Sequence, residues 1–265
     1  RSTLFPYTTL FRSLADGRLE AEGVKDFGVA NIQEAVALRT GGRLQATSSI
    51  LAFSAPLPQQ IDQYLKHSVE MTLCSFDTLR AAEARASACG RKLRVQVKTD
   101  TGMGRLGLQP GETMELLRAI ESSEHLELKG IYTHFAEGSR SAGYTEMQLG
   151  RFKELIAAYE SENSRTVHKH AASSGAILCH KKSWFDMVRP GILLYGYPPD
   201  TAMDSPIEVV PVMQFEAKVV FIKQVATGTA ISYNRTWTAP SPRRIATIAV
   251  CQRSEERRVG KECRS

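Results

Sequence analysis

The sequence predicts an α/β fold of parallel strand–helix units that approaches a closed eight-stranded barrel without reaching it, followed by a separate β segment. Three observations predict it. Seven short apolar or β-branched runs alternate with helix-periodic stretches, four of those runs end in polar or glycine-rich clusters, and from Pro211 onward only strand-like alternation remains.

In chain order, FGVAN (Phe27 to Asn31), SILAFSA (Ser49 to Ala55) and MTLCSF (Met71 to Phe76) read as three short strands. LRVQV (Leu93 to Val97) alternates and is β-branched, as a strand should be. Leu128 to Tyr132 leads into Thr133, His134 and Phe135, and Thr166 to Lys169 leads into His170, Ala171, Ala172, Ser173 and Ser174. Trp184 to Val188 leads into Arg189, Pro190 and Gly191. Between these lie helices. Asn31 with Glu34 marks a helix start that Gly41 and Gly42 close, Ser75 is placed to cap Asp77 to Ala88, and Phe152, Leu155, Ile156 and Tyr159 form one apolar stripe. Pro211 to Thr238 carries strand alternation and a Gly-Thr turn, and the bend around Pro198 to Pro206 is the expected domain boundary.

The segment Val97 to Leu108 (VKTDTGMGRLGL) bears most on chemistry. It puts Lys98, Asp100 and Arg105 at the carboxyl end of a strand, the face on which α/β barrels carry their sites, and Gly102 and Gly104 let backbone approach a ligand closely. Taken alone, the pattern reads as readily as a solvated charged turn. Ser174 opens a helix, so its hydroxyl and neighbouring amides suit a phosphate, though a capping serine without ligand has the same sequence.

DTGMGRLG, THFA, HAASS and VRPGILLYG, in this order and spacing, resemble alanine racemase, a pyridoxal 5'-phosphate enzyme with a barrel domain followed by a β domain. The resemblance runs from about Leu14 to Val250. It implies a TIM-type (β/α)8 barrel that here lacks its first strand, then the start of a C-terminal β domain. It also implies roles. Ser174, Gly191 and Ile192 would hold the cofactor's phosphate, and Arg189 would face the pyridine nitrogen. A permanently protonated guanidinium there keeps that nitrogen unprotonated and the ring a weaker electron sink, which suits a racemase. Arg105 is similar to the arginine that contacts the phenolic oxygen, and Lys98 to a lysine whose carbamate would be an anionic partner for Arg105. Tyr233, within ISYNRTW, matches the tyrosine that acts on one face of the substrate Cα from the partner subunit, and the counterpart of His134, linked to that of Arg189, helps to lower its pKa. A tyrosine in a strand is otherwise most often packing.

One family element is missing. The opposite face needs a lysine that also bonds the cofactor, carried in a K-A-N-A-Y-G-H-G segment on the first strand. This sequence has TLFPYTTLFRS (Thr3 to Ser13) there, and Lys25 sits in the wrong position and reads as a solvated charge. With one choice of codons, the reverse complement of TLFPYTTLFRS translates to RSEERRVGKEC (Arg253 to Cys263), and the sequence resembles a translated DNA library adapter. The expected organisation is therefore an adapter-encoded segment at 1–13, an incomplete barrel at 14–203, the start of the β domain at 204–250, and a second adapter-encoded segment at 251–265.

Composition agrees once the ends are set aside. Residues 1–13 hold Arg1 and Arg12 with no acid, and from Cys251 onward five basic residues face three acidic ones, so the middle carries +2 of the formal +6. The basic balance then gives no reason to expect nucleic acid as a partner. Cys74, Cys89 and Cys179 lack metal or redox spacing and suit a reducing cytosol, so no metal is expected. No apolar run is long enough for a membrane span, and the amino end does not look like a signal peptide.

The expected parent is a cytoplasmic, homodimeric amino-acid racemase acting on alanine by two-base proton transfer at Cα. The 265-residue chain itself is expected to be inactive and to bind the cofactor weakly and non-covalently. The alternative is a non-racemising pyridoxal phosphate binder on the same barrel, which would have neither Tyr233 nor the β segment. A decarboxylase of related fold would want a carboxylate where Arg189 stands.

Overall fold

The structure, a computed structural model, describes residues 18–42, 44–139, 142–200, 207–212 and 217–249. The chain divides into two compact units, Arg1–Val212 and Met213–Ser265. In the first, β1 (Asp26–Val29), β2 (Ser49–Ala52), β3 (Glu70–Leu73), β4 (Leu93–Lys98), β5 (Leu126–Tyr132), β6 (His168–Ser173) and β7 (Met187–Arg189) form one parallel sheet in sequence order. Between them run α1 (Ile32–Thr40), α2 (Ile61–His67), α3 (Phe76–Ala88), α4 (Pro110–Glu121) and α5 (Ala142–Glu162), and α6 (Ser174–Cys179) follows β6 directly. In-order parallel pairing with a helical crossover at each step curls a sheet into a barrel. This one is nearly closed, with Asp26 on β1 and Val188 on β7 facing a common cleft.

Local chemistry sets the elements. Asn31 accepts the Glu34 amide at 3.1 Å to start α1, and Ser75 accepts the Thr78 amide at 3.2 Å to start α3. Pro110 occupies the first turn of α4, where its missing N–H costs nothing. Strands sandwiched between barrel interior and helices are buried on both faces, as the four buried residues of β3 show. Phe152, Leu155, Ile156 and Tyr159 are all buried along α5, a stripe worth about 1.5–3 kcal/mol for each side chain removed from water.

Several boundaries differ from the sequence reading. The strand expected at Thr166 to Lys169 is instead His168–Ser173, because buried Ala171 and Ala172 continue the pairing to the site end. The strand expected from Trp184 shrinks to Met187–Arg189, since residues 181–183 form a turn of 3-10 helix and Phe185 takes a left-handed φ of 47°. Ser173, in extended conformation, is the cap of α6, and Ser174 is its first helical residue. Among the described residues, the strand of FGVAN and the strand ending at Arg189 lie at the two edges of the sheet. Thr3 to Ser13, considered above as a foreign segment, lies outside the described residues.

In the second unit, β8 (Val219–Val225) pairs antiparallel with β11 (Arg243–Ile248), and β9 (Ala230–Ile231) with β10 (Trp237–Thr238), after a turn at Gly228. Of the stretch expected to alternate from Pro211, the described residues form strand from Val219 onward. The strand β11 lies beyond the predicted span, where Arg243 and Arg244 mask the alternation.

Candidate functional site

A cavity of about 700 Å³ opens at the carboxyl ends of the strands. Lys98 closes β4, His134 follows β5, Ser174 follows β6, and Arg189 closes β7; all four line it, with Arg105, Gly191 and Ile192. Eight of the site residues inferred from sequence were Lys98, Arg105, His134, Ser174, Arg189, Gly191, Ile192 and Tyr233, and the first seven face one cavity. Tyr233 belongs to the second unit, in a turn at residues 233–235, and is 82% exposed. Lys25 is exposed at the opposite end of β1.

Arg189 organises the site. It is fully buried, and its guanidinium donates through Nη1 to His170 Nδ1 at 2.7 Å and through Nη2 to Thr133 O at 2.8 Å, Ala171 O at 2.9 Å and His134 Nδ1 at 3.3 Å. Because arginine only donates, both imidazole nitrogens that it meets must be lone pairs, so both rings are neutral. Electrostatics agree. Burial, then Arg189, Lys98 and Arg105, push the His134 imidazole down to about 3, and burial with Arg189 pushes His170 well below its usual value. Burial draws Arg189 itself to about 10, so it stays cationic at neutral pH.

Lys98 is also buried, its Nζ 5.0 Å above the Tyr132 ring centroid. Burial, then the cations of Arg189 and Arg105, lower it to about 7 against the opposing pull of Asp100. Arg105 stands at the rim of the cavity, presented by the loop that follows β4. That loop is wound around one carboxylate: Asp100 Oδ1 accepts the amides of Gly102 at 2.9 Å, Met103 at 2.8 Å and Gly104 at 3.1 Å. Gly107, at φ 112°, passes so near the strand that a Cβ would lie 2.7 Å from the Lys98 carbonyl oxygen. The sequence could have shown this loop only as a run of glycines.

On the other side of the cavity, the Leu193 amide donates to Ser174 Oγ at 3.3 Å, which ties the β6–α6 junction to the 3-10 turn Ile192–Tyr195. The Gly191 amide, expected to reach a phosphate, already donates to Arg189 O at 2.9 Å. A tight Arg-Pro-Gly turn closes on itself, which spacing alone does not reveal. Sequence reasoning also missed Tyr132, stacked on His170 with centroids 4.8 Å apart and planes 6° apart, and the Gln96 and Glu70 side chains that continue the network inward. A polar residue at an inward strand position is their one signal. Among the described residues, no group of three or more His, Cys, Asp or Glu could hold a metal ion. No helix of the described residues is long and apolar enough to cross a membrane.

This fold and site define an α/β-barrel protein with a strand-end cavity lined by cations for an anionic small molecule. Residues 15–199 match the family model of the alanine racemase N-terminal domain, and residues 212–251 match that of the C-terminal domain. The chain belongs to the alanine racemase family. It is 58% identical over 231 residues to the alanine racemase of Chlorobaculum tepidum, covering 87% of this chain and 60% of that one, and 37% identical to that of Treponema denticola, covering 86% and 60%. The alanine racemase of Clostridium difficile 630 superposes with a TM-score of 0.78 at 29% identity, covering 93% of this chain and 66% of that one. That of Bacillus anthracis, solved with bound L-Ala-P, gives 0.78 at 28% identity, covering 94% and 66%. The chain thus spans about 60% of the length of these curated relatives.

Proposed function

We propose that this chain carries the pyridoxal 5'-phosphate site of a racemase that interconverts L- and D-alanine by two-base proton transfer at Cα. One observation carries the reading. Arg189 commits both terminal nitrogens to protein acceptors, and among the described residues its Nε is a buried nitrogen with no hydrogen-bond partner, beside a cavity that also receives Lys98, Arg105 and Ser174. An orphaned cationic donor fits an unprotonated ring nitrogen. Arg105 and Lys98 on one side fit a phenolic oxygen, and the Ser174 hydroxyl with the Ile192 amide on the other fit a phosphate.

When bound, the cofactor supplies an electron-withdrawing ring that makes the substrate Cα proton labile. The protein's part is positional and electrostatic. Arg189 holds the ring nitrogen without giving up its proton. Arg105 steadies the phenolic oxygen, and Ser174 anchors the far end. His134 is neutral and hydrogen-bonded to Arg189, and the phenol of Tyr233, from the partner subunit of a homodimer, would take or return the proton on one face of Cα. Lys98, with its amine pushed down to about 7, is neutral in a substantial fraction at neutral pH, and condensation of that neutral amine with carbon dioxide would give a carbamate and release a proton. That carbamate would turn a cation competing with Arg105 and Arg189 into an anionic partner for Arg105. The setting is cytoplasmic, where D-alanine is made for the cell wall.

The 265 residues contain no K-A-N-A-Y-G-H-G segment, so this polypeptide by itself is predicted to bind the cofactor without racemising alanine. A non-racemising cofactor binder is the second reading, and Tyr233 with its β unit argues against it for the parent. Titration of the purified chain with pyridoxal phosphate, followed by borohydride and peptide mapping, tests the proposal. Saturable binding that weakens at least tenfold in Arg189→Leu, with no pyridoxyl-lysine after reduction, is expected. Binding no tighter than to an unrelated protein would overturn the site. A specific pyridoxyl-lysine would overturn the predicted inactivity.

A further inference from the structure

Four inward-facing side chains behind the cavity form a single hydrogen-bonded file. Arg189 Nη1 donates to His170 Nδ1 at 2.7 Å, His170 Nε2 meets Gln96 Oε1 at 2.7 Å, Gln96 Nε2 donates to Glu70 Oε2 at 2.5 Å, and Ser49 Oγ closes the end on Glu70 Oε1. Glu70, Gln96, His170 and Arg189 are each no more than 4% exposed. The file crosses the barrel from β7 to β3. It passes over β5 at Gly130, where a Cβ would sit 2.8 Å from Gln96 Oε1, so only a residue without a side chain lets Gln96 reach His170.

The two ends dictate the middle. Arg189 can only donate and a carboxylate can only accept, so Gln96 must turn its NH2 to Glu70 and its oxygen to His170. His170 must then carry its proton on Nε2 and offer Nδ1 to Arg189. Every N–H in the file points the same way, from the cation towards the carboxylate. Aligned hydrogen bonds in a dry interior reinforce one another, and a reversed link would leave two donors or two lone pairs facing each other. Tyr132 fixes the ring plane by stacking on His170, and its hydroxyl is held by Thr72 Oγ1 at 2.8 Å.

We propose that Glu70 and Gln96 are positioning residues that act through His170, locking its Nε2–H tautomer so that Nδ1 holds the Arg189 guanidinium in the attitude that leaves Nε free. The inference rests on the cofactor reading above for what Arg189 is positioned to do. The lock itself is a property of the chain alone. Glu70 and Gln96 do not line the cavity, which distinguishes them from the residues of the site.

The test reads the ring nitrogens of His170 by NMR in the full chain labelled with isotopic histidine, without cofactor, beside cofactor titration of the same preparations. The unsubstituted chain is expected to show one tautomer, pyrrole-type at Nε2 and pyridine-type at Nδ1. In Gln96→Leu, and more mildly in the isosteric Glu70→Gln, loss of one net hydrogen bond is expected to raise the share of the other tautomer roughly fivefold. Affinity for pyridoxal phosphate should fall in step. Ser49→Ala, which leaves Gln96 and Glu70 in contact, is expected to keep the single tautomer. An Nδ1–H ring in the unsubstituted chain overturns the proposal, as does an unchanged ring pattern in Glu70→Gln. If Gln96→Leu fails to fold, Glu70→Gln alone decides. Absence of cofactor binding by the unsubstituted chain would sink the cofactor reading, while the nitrogen pattern still reports on the lock.

Discussion

At the scale of single residues, Lys98 is a buried cation of the site whose charge the fold disfavours. Its amine is drawn from 10.5 to about 7 in the folded protein, by burial first and then by Arg189 and Arg105. Between those two values the unfolded chain binds a proton that the native state does not, so stability rises with pH across that window. Below about 7 both states are protonated and the penalty is fully present; above 10.5 it is gone. The displacement sets an upper bound of about 5 kcal/mol. Lys98→Met removes the charge at similar volume, and in bicarbonate-free buffer its urea midpoint should exceed that of the unsubstituted chain at pH near 6 and converge with it above pH 10. A constant difference at both ends would show that Lys98 is not the titrating group. A site that retains a destabilising cation at this position is one in which the amine has work to do once neutral.

At the scale of elements, the loop from Asp100 to Gly107 shows what a sequence does and does not disclose. The residue types KTDTGMGRLG marked a strand end able to approach a ligand, and Asn31 and Ser75 marked two helix starts, because caps and glycine turns are local chemistry. The carboxylate of Asp100 gathering three amides was not legible, since it depends on the loop path. Nor was the file through Glu70 and Gln96, which needs strands β3, β4 and β6 in register around one axis. His170 and Ala171 were assigned past a strand end that in fact runs to Ser173, because their burial comes from neighbouring strands. Gly107→Ala tests the loop. The added methyl would meet the Lys98 carbonyl oxygen and the Asp100 amide at under 3 Å, on backbone already at φ 112°. A destabilisation of about 2–4 kcal/mol in urea is expected, with weaker cofactor binding because Arg105 leaves the rim. A neutral effect on both would mean that the loop is plastic and does not set Arg105.

At the scale of the first unit, the sheet of the described residues is strongest in its middle and weakest at its two edges, β1 and β7. β4 pairs with β5 over Leu93 to Lys98 and with β3 on its other side, whereas β7 meets β6 at only two pairs, His170 with Met187 and Ser173 with Arg189. β1, at the opposite edge, pairs with β2 alone among the described residues. A strand with one neighbour exposes half its amides to solvent and opens locally at low cost. Hydrogen exchange followed by mass spectrometry should therefore show the amides of Asp26 to Val29 and Met187 to Arg189 exchanging at least about tenfold faster than those of Val95 to Lys98 and Leu128 to Tyr132. The edge at β7 has a second support. The Arg189 side chain reaches across to Thr133 O and Ala171 O, so much of what holds this short strand is a side chain and not a ladder. Arg189→Leu should then accelerate exchange in β7 while leaving β1 unchanged, and the same substitution removes the donor offered to the ring nitrogen. Equal protection across all seven strands would mean that the two edges are covered, and the account of an incompletely closed barrel would have to be abandoned.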